Sequence, residues 1–120
     1  MPFTEEKPIY LQVAEQIEDA ILAGAFAEEQ QVPSTTEISA RYRINPATAL
    51  KGINLLVDAG ILYKKRGLGM FVTKGAPQTI KEARKQAFFQ TYIGGLIEEA
   101  QKLGLSKDQL IDMIERGYGA

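Results

Sequence analysis

Two helix-start signals in quick succession, at residues 33–37 and 45–46, constrain this chain more than any other feature. In Pro33-Ser34-Thr35-Thr36-Glu37 a serine precedes a helix-compatible run and a glutamate follows three residues on. The serine hydroxyl of such a box accepts from the backbone N–H of the glutamate, whose side chain reaches back to the serine N–H. Asn45-Pro46 is a second start, with asparagine as cap and proline at the first helical position, where a missing N–H is harmless. The first helix is therefore short, about Thr35–Tyr42, with Ile38 turned inward, and Arg43-Ile44 form a tight turn. Ala49, Ile53 and Leu56 give the next helix a buried stripe that ends near Asp58-Ala59-Gly60. Two short, independently capped helices joined by so few residues predict a helix-turn-helix.

The flanking segments complete that unit. Lys7-Pro8 opens an earlier helix in which Tyr10, Val13, Ile17 and Ile21 recur at helical spacing up to Ala23, and Gly24 is placed to end it. Residues 25–32 read as a connector, with Phe26 and Val32 tucked into the core. After Gly60 the period becomes extended: residues 61–66 and 70–72 flank Gly67-Leu68-Gly69 and predict a hairpin. Three helices followed by a basic hairpin make a winged helix, so residues 1–75 are assigned to a winged helix-turn-helix domain. The fold class is mostly α with a small β-hairpin.

Gly75-Ala76-Pro77 marks the expected boundary, and residues 76–120 are assigned to a helical dimerisation region, with effector binding as a second role. One helix is expected from Thr79 to about Leu103, and Ser106 with Gln109 caps another carrying Leu110, Met113 and Ile114. The apolar residues of the first are too many for one face against one small domain. Gly94-Gly95, in mid-helix, call for a kink or a close helix approach. Two helices cannot bury such a surplus alone, so Phe88, Phe89, Tyr92, Ile93, Leu96, Ile97, Leu110 and Ile114 are assigned to a homodimer interface. Phe88, Phe89 and Tyr92 border an effector pocket in a second reading; packing is the first.

Composition narrows the chemistry. The 120 residues contain neither cysteine nor histidine, which removes thiolate chemistry, disulfides, the commonest general base and the commonest metal ligand. No catalytic constellation replaces them, so the chain reads as a non-enzyme without cofactor or metal. No apolar run approaches the roughly 20 residues of a membrane span, and the polar, acidic start Met-Pro-Phe-Thr-Glu-Glu does not read as a signal peptide. A cytoplasmic protein without a membrane partner is expected. The net charge of −1 hides an uneven distribution. Residues 1–33 hold seven acids against Lys7, whereas residues 34–75 hold Arg41, Arg43, Lys51, Lys64, Lys65, Arg66 and Lys74 against Glu37 and Asp58. The local field rather than the net charge governs phosphate attraction, although chance clustering on a solvated face gives the same count.

With these elements in order, the stretch from Pro8 to Val72 resembles the DNA-binding domain of the GntR family of bacterial transcription regulators. The resemblance rests on Pro8-Ile9-Tyr10, Val32-Pro33-Ser34, Ile44-Asn45-Pro46-Ala47-Thr48, Gly60-Ile61-Leu62 and Arg66-Gly67-Leu68-Gly69-Met70-Phe71-Val72. The tail, with Ala100-Gln101-Lys102-Leu103-Gly104-Leu105-Ser106 and a closing helix, is similar to the YtrA-type subfamily, whose two helices after the winged helix serve dimerisation. The resemblance implies regulation of a neighbouring transporter operon, with a small effector or none. Thr36, Pro46 and Leu50 stand where the family commonly has arginine, and Asn-Pro at 45–46 is shared within the subfamily.

In a winged helix the third helix enters the major groove with its N-terminal residues nearest the bases. That assigns Asn45, Ala47, Thr48 and Lys51 to double-stranded DNA, Lys51 to guanine or to phosphate, while Asn45 also reads as a cap alone. Leu50 either meets a thymine methyl or is plain surface. Ser34, Thr35 and Thr36 form a candidate phosphate clamp, Ser34 capping in any case. Lys64, Lys65, Arg66, Gly67 and Gly69 place the wing along phosphates or in the minor groove, with Arg41 and Arg43 as supporting cations. The expected function is a sequence-specific transcription regulator, a homodimeric repressor on a pseudo-palindromic operator, released by an effector if it has one. The alternative is a winged-helix adaptor or antitoxin-like module that binds protein instead, in keeping with the missing arginines.

Overall fold

The computed structural model describes residues 3–119; Met1 and Pro2 of the N-terminal stretch, and Ala120 at the end of the expected tail region, lie outside them. Along these residues run α1 (Ile9–Leu22), α2 (Thr35–Tyr42), α3 (Pro46–Asp58), β1 (Leu62–Lys65), β2 (Gly69–Val72), α4 (Ala76–Phe88), a π-helical turn (Phe89–Ile93), α5 (Gly94–Lys102) and α6 (Lys107–Gly117). They group into two compact units, one running to Lys81 and one from Glu82.

The first unit is built on the packing of α1 against α3. Val13, Ala14, Ile17 and Ile21 of α1 meet a core that holds Ala49, Ile53 and Leu56 of α3. Gly52 sets how closely the two helices lie: a Cβ there would fall 2.7 Å from the Tyr10 carbonyl oxygen and 3.0 Å from the Val13 side chain. No side chain caps α1 from Pro8. The buried Gln12 ties the preceding segment down instead, accepting from Thr4 N at 2.9 Å and donating to the carbonyls of Thr4 and Lys7 at 2.8 Å. Gly24 follows the helix with φ of 85°.

Both predicted caps are formed. Ser34 Oγ accepts from Glu37 N at 3.1 Å while Ser34 N donates to Glu37 Oε1 at 3.0 Å. Asn45 Oδ1 accepts from Ala47 N at 2.8 Å with Pro46 at the first helical position. Between the helices Arg43 adopts a left-handed backbone, φ 53°, and Ser39 Oγ donates to the Ile44 carbonyl at 2.7 Å.

The hairpin pairs Leu62 with Val72 and Lys65 with Gly69, so β2 starts one residue before the expected strand and Arg66-Gly67-Leu68 form the tip. Residues 25–32 are more than a connector. Gln31 bridges Phe71, and Val32 N donates to the Met70 carbonyl at 2.9 Å, adding a brief third edge to the sheet.

The expected boundary at 75/76 moves to Lys81/Glu82 because Ala76 and Ile80 belong to the first core, at 1% and 0% exposure. The long helix expected over 79–103 starts earlier, at Ala76, and is interrupted by the π-helical turn immediately before Gly94. One residue too many per turn is a recognised origin of a bend. A Cβ on Gly94 or Gly95 would meet nothing within 4 Å, so no close approach among the described residues explains the glycine pair. Ser106 and Gln109 form the second capping box at the start of α6.

Candidate nucleic-acid interface

The start of α3 displays Asn45, Ala47 and Leu50 to solvent and leaves Thr48 half-buried. The Asn45 side-chain oxygen is engaged by the Ala47 N–H, which fulfils the capping reading for that atom. Lys51, the basic residue of α3, is exposed and has its ammonium 4.0 Å from the centroid of the Tyr10 ring. Such a contact holds a flexible cation without consuming its N–H donors.

At α2, Thr36 is exposed and Thr35 half-buried, while the Ser34 hydroxyl is committed to the Glu37 N–H. Hydrogen bonds from the Ser34 backbone N–H and the Ser34 side chain, aided by the charge of Arg41, hold the Glu37 carboxyl below the usual carboxylate range. Arg43 is exposed on its left-handed backbone.

The wing cations Lys64, Lys65 and Arg66 are all exposed, as is Gly69. Side chains alternate across a strand, so Lys64 and Lys65 point to opposite faces. Tyr63 and its cross-strand partner Phe71 stack with centroids 5.9 Å apart, and the Lys65 ammonium sits 4.5 Å from the Phe71 ring centroid. Lys64, Arg66, Gly67 and Leu68 are exposed. Gln31 Nε2 donates to the Leu68 carbonyl at 2.6 Å and fixes the tip. Gly69, at φ 118°, lies under that amide; a Cβ there would be 2.8 Å from Gln31 Nε2.

Tyr10, Gln31 and Gly52 are absent from the sequence-based set. Their roles come from contacts distant in sequence, and only the motif at Pro8-Ile9-Tyr10 hinted at one of them.

In the second unit Phe88, Phe89 and Tyr92 are 55%, 65% and 65% exposed. Leu96, Ile97 and Ile114 are also exposed, with Ile93 and Leu110 half-buried. Leu103, Ile111, Met113 and Tyr118 extend the exposed apolar set. A groove of about 400 Å³, lined by Ile97, Ala100, Leu105, Leu110, Ile111 and Ile114, stands open there. Among the described residues no helix is long and apolar enough to cross a membrane, and no group of three acidic or metal-ligating side chains could hold a metal ion.

Residues 9–72 match the family described as bacterial regulatory proteins, gntR family. The HTH-type transcriptional repressor YtrA of Bacillus subtilis is 28% identical over 90% of this chain and 82% of its own length. A crystal structure of a GntR-family transcriptional regulator from Bacteroides thetaiotaomicron superposes with a TM-score of 0.82 at 32% identity, covering 92% of this chain and 96% of that one. The DNA-binding domain of AraR, crystallised with its operator ORX1, matches 61% of this chain and 89% of its own at 34% identity and a TM-score of 0.55. These are transcription regulators rather than enzymes, and the motifs at Pro8, Ser34, Asn45 and Gly67 fall at the helix starts and wing tip of the fold just described. This chain belongs to the GntR family of bacterial regulatory proteins.

Proposed function

We propose that this protein is a cytoplasmic homodimeric repressor that binds a pseudo-palindromic operator through α3 and the wing of each protomer. One observation carries the reading: a twice-capped helix pair presents the exposed start of α3, with Lys51 held against Tyr10, in a unit matched by a domain crystallised on its operator. In such a complex Ala47, Thr48 and Lys51 face base edges, while Thr36, Arg43, Lys64 and Arg66 contact phosphates. The exposed apolar side chains from Phe88 to Ile114 support pairing of two copies, which sets half-sites about one helical turn apart. A small effector that releases the operator would act by altering that spacing.

The test is an electrophoretic mobility shift on the DNA upstream of the gene, at two salt concentrations. The intact chain is expected to shift it as a dimer, with affinity falling steeply as salt rises. Replacing Lys64, Lys65 and Arg66 with alanine should weaken binding to all sequences and reduce the salt slope by about one for each cation that sits on a phosphate. An unchanged slope removes the wing from the interface. No DNA binding at low salt, together with capture of a defined protein partner, would favour the adaptor reading instead.

A further inference from the structure

The contact between Tyr10 and Lys51 joins two helices through a residue that carries no charge and lies outside the helix-turn-helix itself. Tyr10 sits in the first turn of α1, and Lys51 supplies the basic side chain of α3. The geometry depends on Gly52, the neighbour of Lys51. With any Cβ at that position 2.7 Å from the Tyr10 carbonyl oxygen, α1 and α3 could not lie as close at this point. The same residue is thus gripped twice: its backbone oxygen lies against Gly52 and its ring lies 4.0 Å from the Lys51 ammonium. A free lysine loses much rotamer entropy when it is fixed on a base or phosphate, and a restraint already present in the unbound protein removes part of that cost. An aromatic face leaves all three ammonium N–H groups available for a DNA acceptor, which a carboxylate partner would not.

We infer that Tyr10 is a positioning residue for DNA recognition: its ring, brought near by the close approach at Gly52, pre-sets the Lys51 ammonium for one acceptor on the DNA. The inference rests on the operator reading above and deepens it by naming what orients the α3 cation. It also separates two roles for Tyr10, since a phenol could equally reach a phosphate through its hydroxyl. The ring-based role survives loss of the hydroxyl; the other does not.

The experiment uses the full chain and a duplex enriched from a random pool by the wild-type protein, with dissociation constants read by fluorescence anisotropy. Tyr10→Leu should weaken binding about five-fold, the scale of a partly desolvated cation–π contact. Tyr10→Phe should stay within about two-fold of wild type, because the ring is kept. On a Lys51→Met background, Tyr10→Leu should change the affinity by less than about two-fold, as the partner it positions is gone. The proton resonances of the Lys51 ε-methylene, shifted upfield by the ring in the free protein, should return to ordinary values in Tyr10→Leu. Tyr10→Phe binding as poorly as Tyr10→Leu, or an undiminished Tyr10→Leu effect without Lys51, would overturn the inference. So would the absence of the upfield shift, which needs no DNA. Failure of the pool to yield any enriched duplex would sink the operator reading and this inference together, whereas an enriched duplex indifferent to Tyr10→Leu sinks this inference alone.

Discussion

The residues up to Lys81 and those from Glu82 onward treat their apolar side chains in opposite ways. In the first unit Val13, Ile53, Leu62, Val72 and Ile80 are almost wholly removed from solvent around a single core. In the second, the only buried hydrophobic side chain among the described residues is Ala100, while Phe89, Tyr92, Leu103 and Tyr118 are each more than half exposed. The second unit is nevertheless helical over most of its length, and α6 is closed by a capping box, so the exposure sits on formed helices. A contiguous apolar surface on an ordered element marks an association site rather than a folding defect. The difference teaches that the first region closes its hydrophobic account within its own fold, whereas the second leaves a surplus that the homodimer proposed above would cover.

The hardest test of that contrast is to place charge in the tail. If the proposed homodimer forms through this surface, the wild type should sediment as a dimer in sedimentation velocity and Leu96→Glu combined with Ile97→Glu as a monomer. Loss of the second half-site contact should cost operator affinity about a thousandfold, within the range that linked binding provides. The melting transition of the first unit should not move. A variant that remained dimeric would break the comparison at its centre.

Core truncation probes the other side. Ile53 is fully buried in α3, and Ile53→Ala should lower unfolding stability by about 3 kcal/mol in urea denaturation. Ile97→Ala, at a site 44% exposed, should instead act through association, so its effect should depend on protein concentration where that of Ile53→Ala does not.

Within the first unit the wing tip is the exception, since it is exposed yet fixed. Gly69→Ala would force a side chain into a left-handed backbone and against the Gln31 amide. The expected loss of fold stability is only about 1 kcal/mol, because the hairpin tip lies outside the core. DNA binding should suffer more than stability, by roughly tenfold, as the Gln31–Leu68 hydrogen bond is displaced and Arg66 is re-aimed. A binding loss no greater than the stability loss would show that the tip need not be held.

How much of this was legible in the sequence follows from where each signal is written. Caps are local, and Ser34 with Glu37, Asn45 with Pro46 and Ser106 with Gln109 all formed as their spacing predicts. The stripe Ala49, Ile53, Leu56 is likewise a local period and is buried. What the sequence hid are contacts between distant segments. A single bridge at Gln31 leaves no alternating pattern, and nothing near Lys51 announces the ring of Tyr10. Nothing in the run Lys64-Lys65-Arg66 shows that Lys65 rests against the Phe71 ring across the hairpin. Ala76 and Ile80 are too few to register as core beyond the turn at Gly75-Ala76-Pro77, yet both are sealed from solvent. The π-helical turn at Phe89–Ile93 has no residue code that distinguishes it from the α-helix around it.

The smallest expected effect comes from a comparison the molecule makes by itself. Each unit contains a serine capping box, but the first closes on an ionisable glutamate, Glu37, and the second on a neutral glutamine, Gln109. The Ser34 hydrogen bonds lower the Glu37 pKa in the folded chain relative to its ordinary value of 4.5. A carboxyl whose folded value is depressed binds its proton more weakly in the native state than in the unfolded one. Its ionisation therefore stabilises the fold above pH 4.5, and that contribution disappears as the pH falls through the lowered value. Glutamine preserves the hydrogen bond and removes the charge, so Glu37→Gln should melt below wild type at pH 7 and converge with it once the pH has fallen below the lowered Glu37 value. The reciprocal change, Gln109→Glu, should give the α6 capping box a titrating partner that glutamine does not supply, read from the amide resonance of Ser106 as the pH is lowered. If both capping boxes responded alike to acid before any substitution, the charge on Glu37 would have no part in holding α2, and hydrogen-bond geometry alone would account for both helix starts.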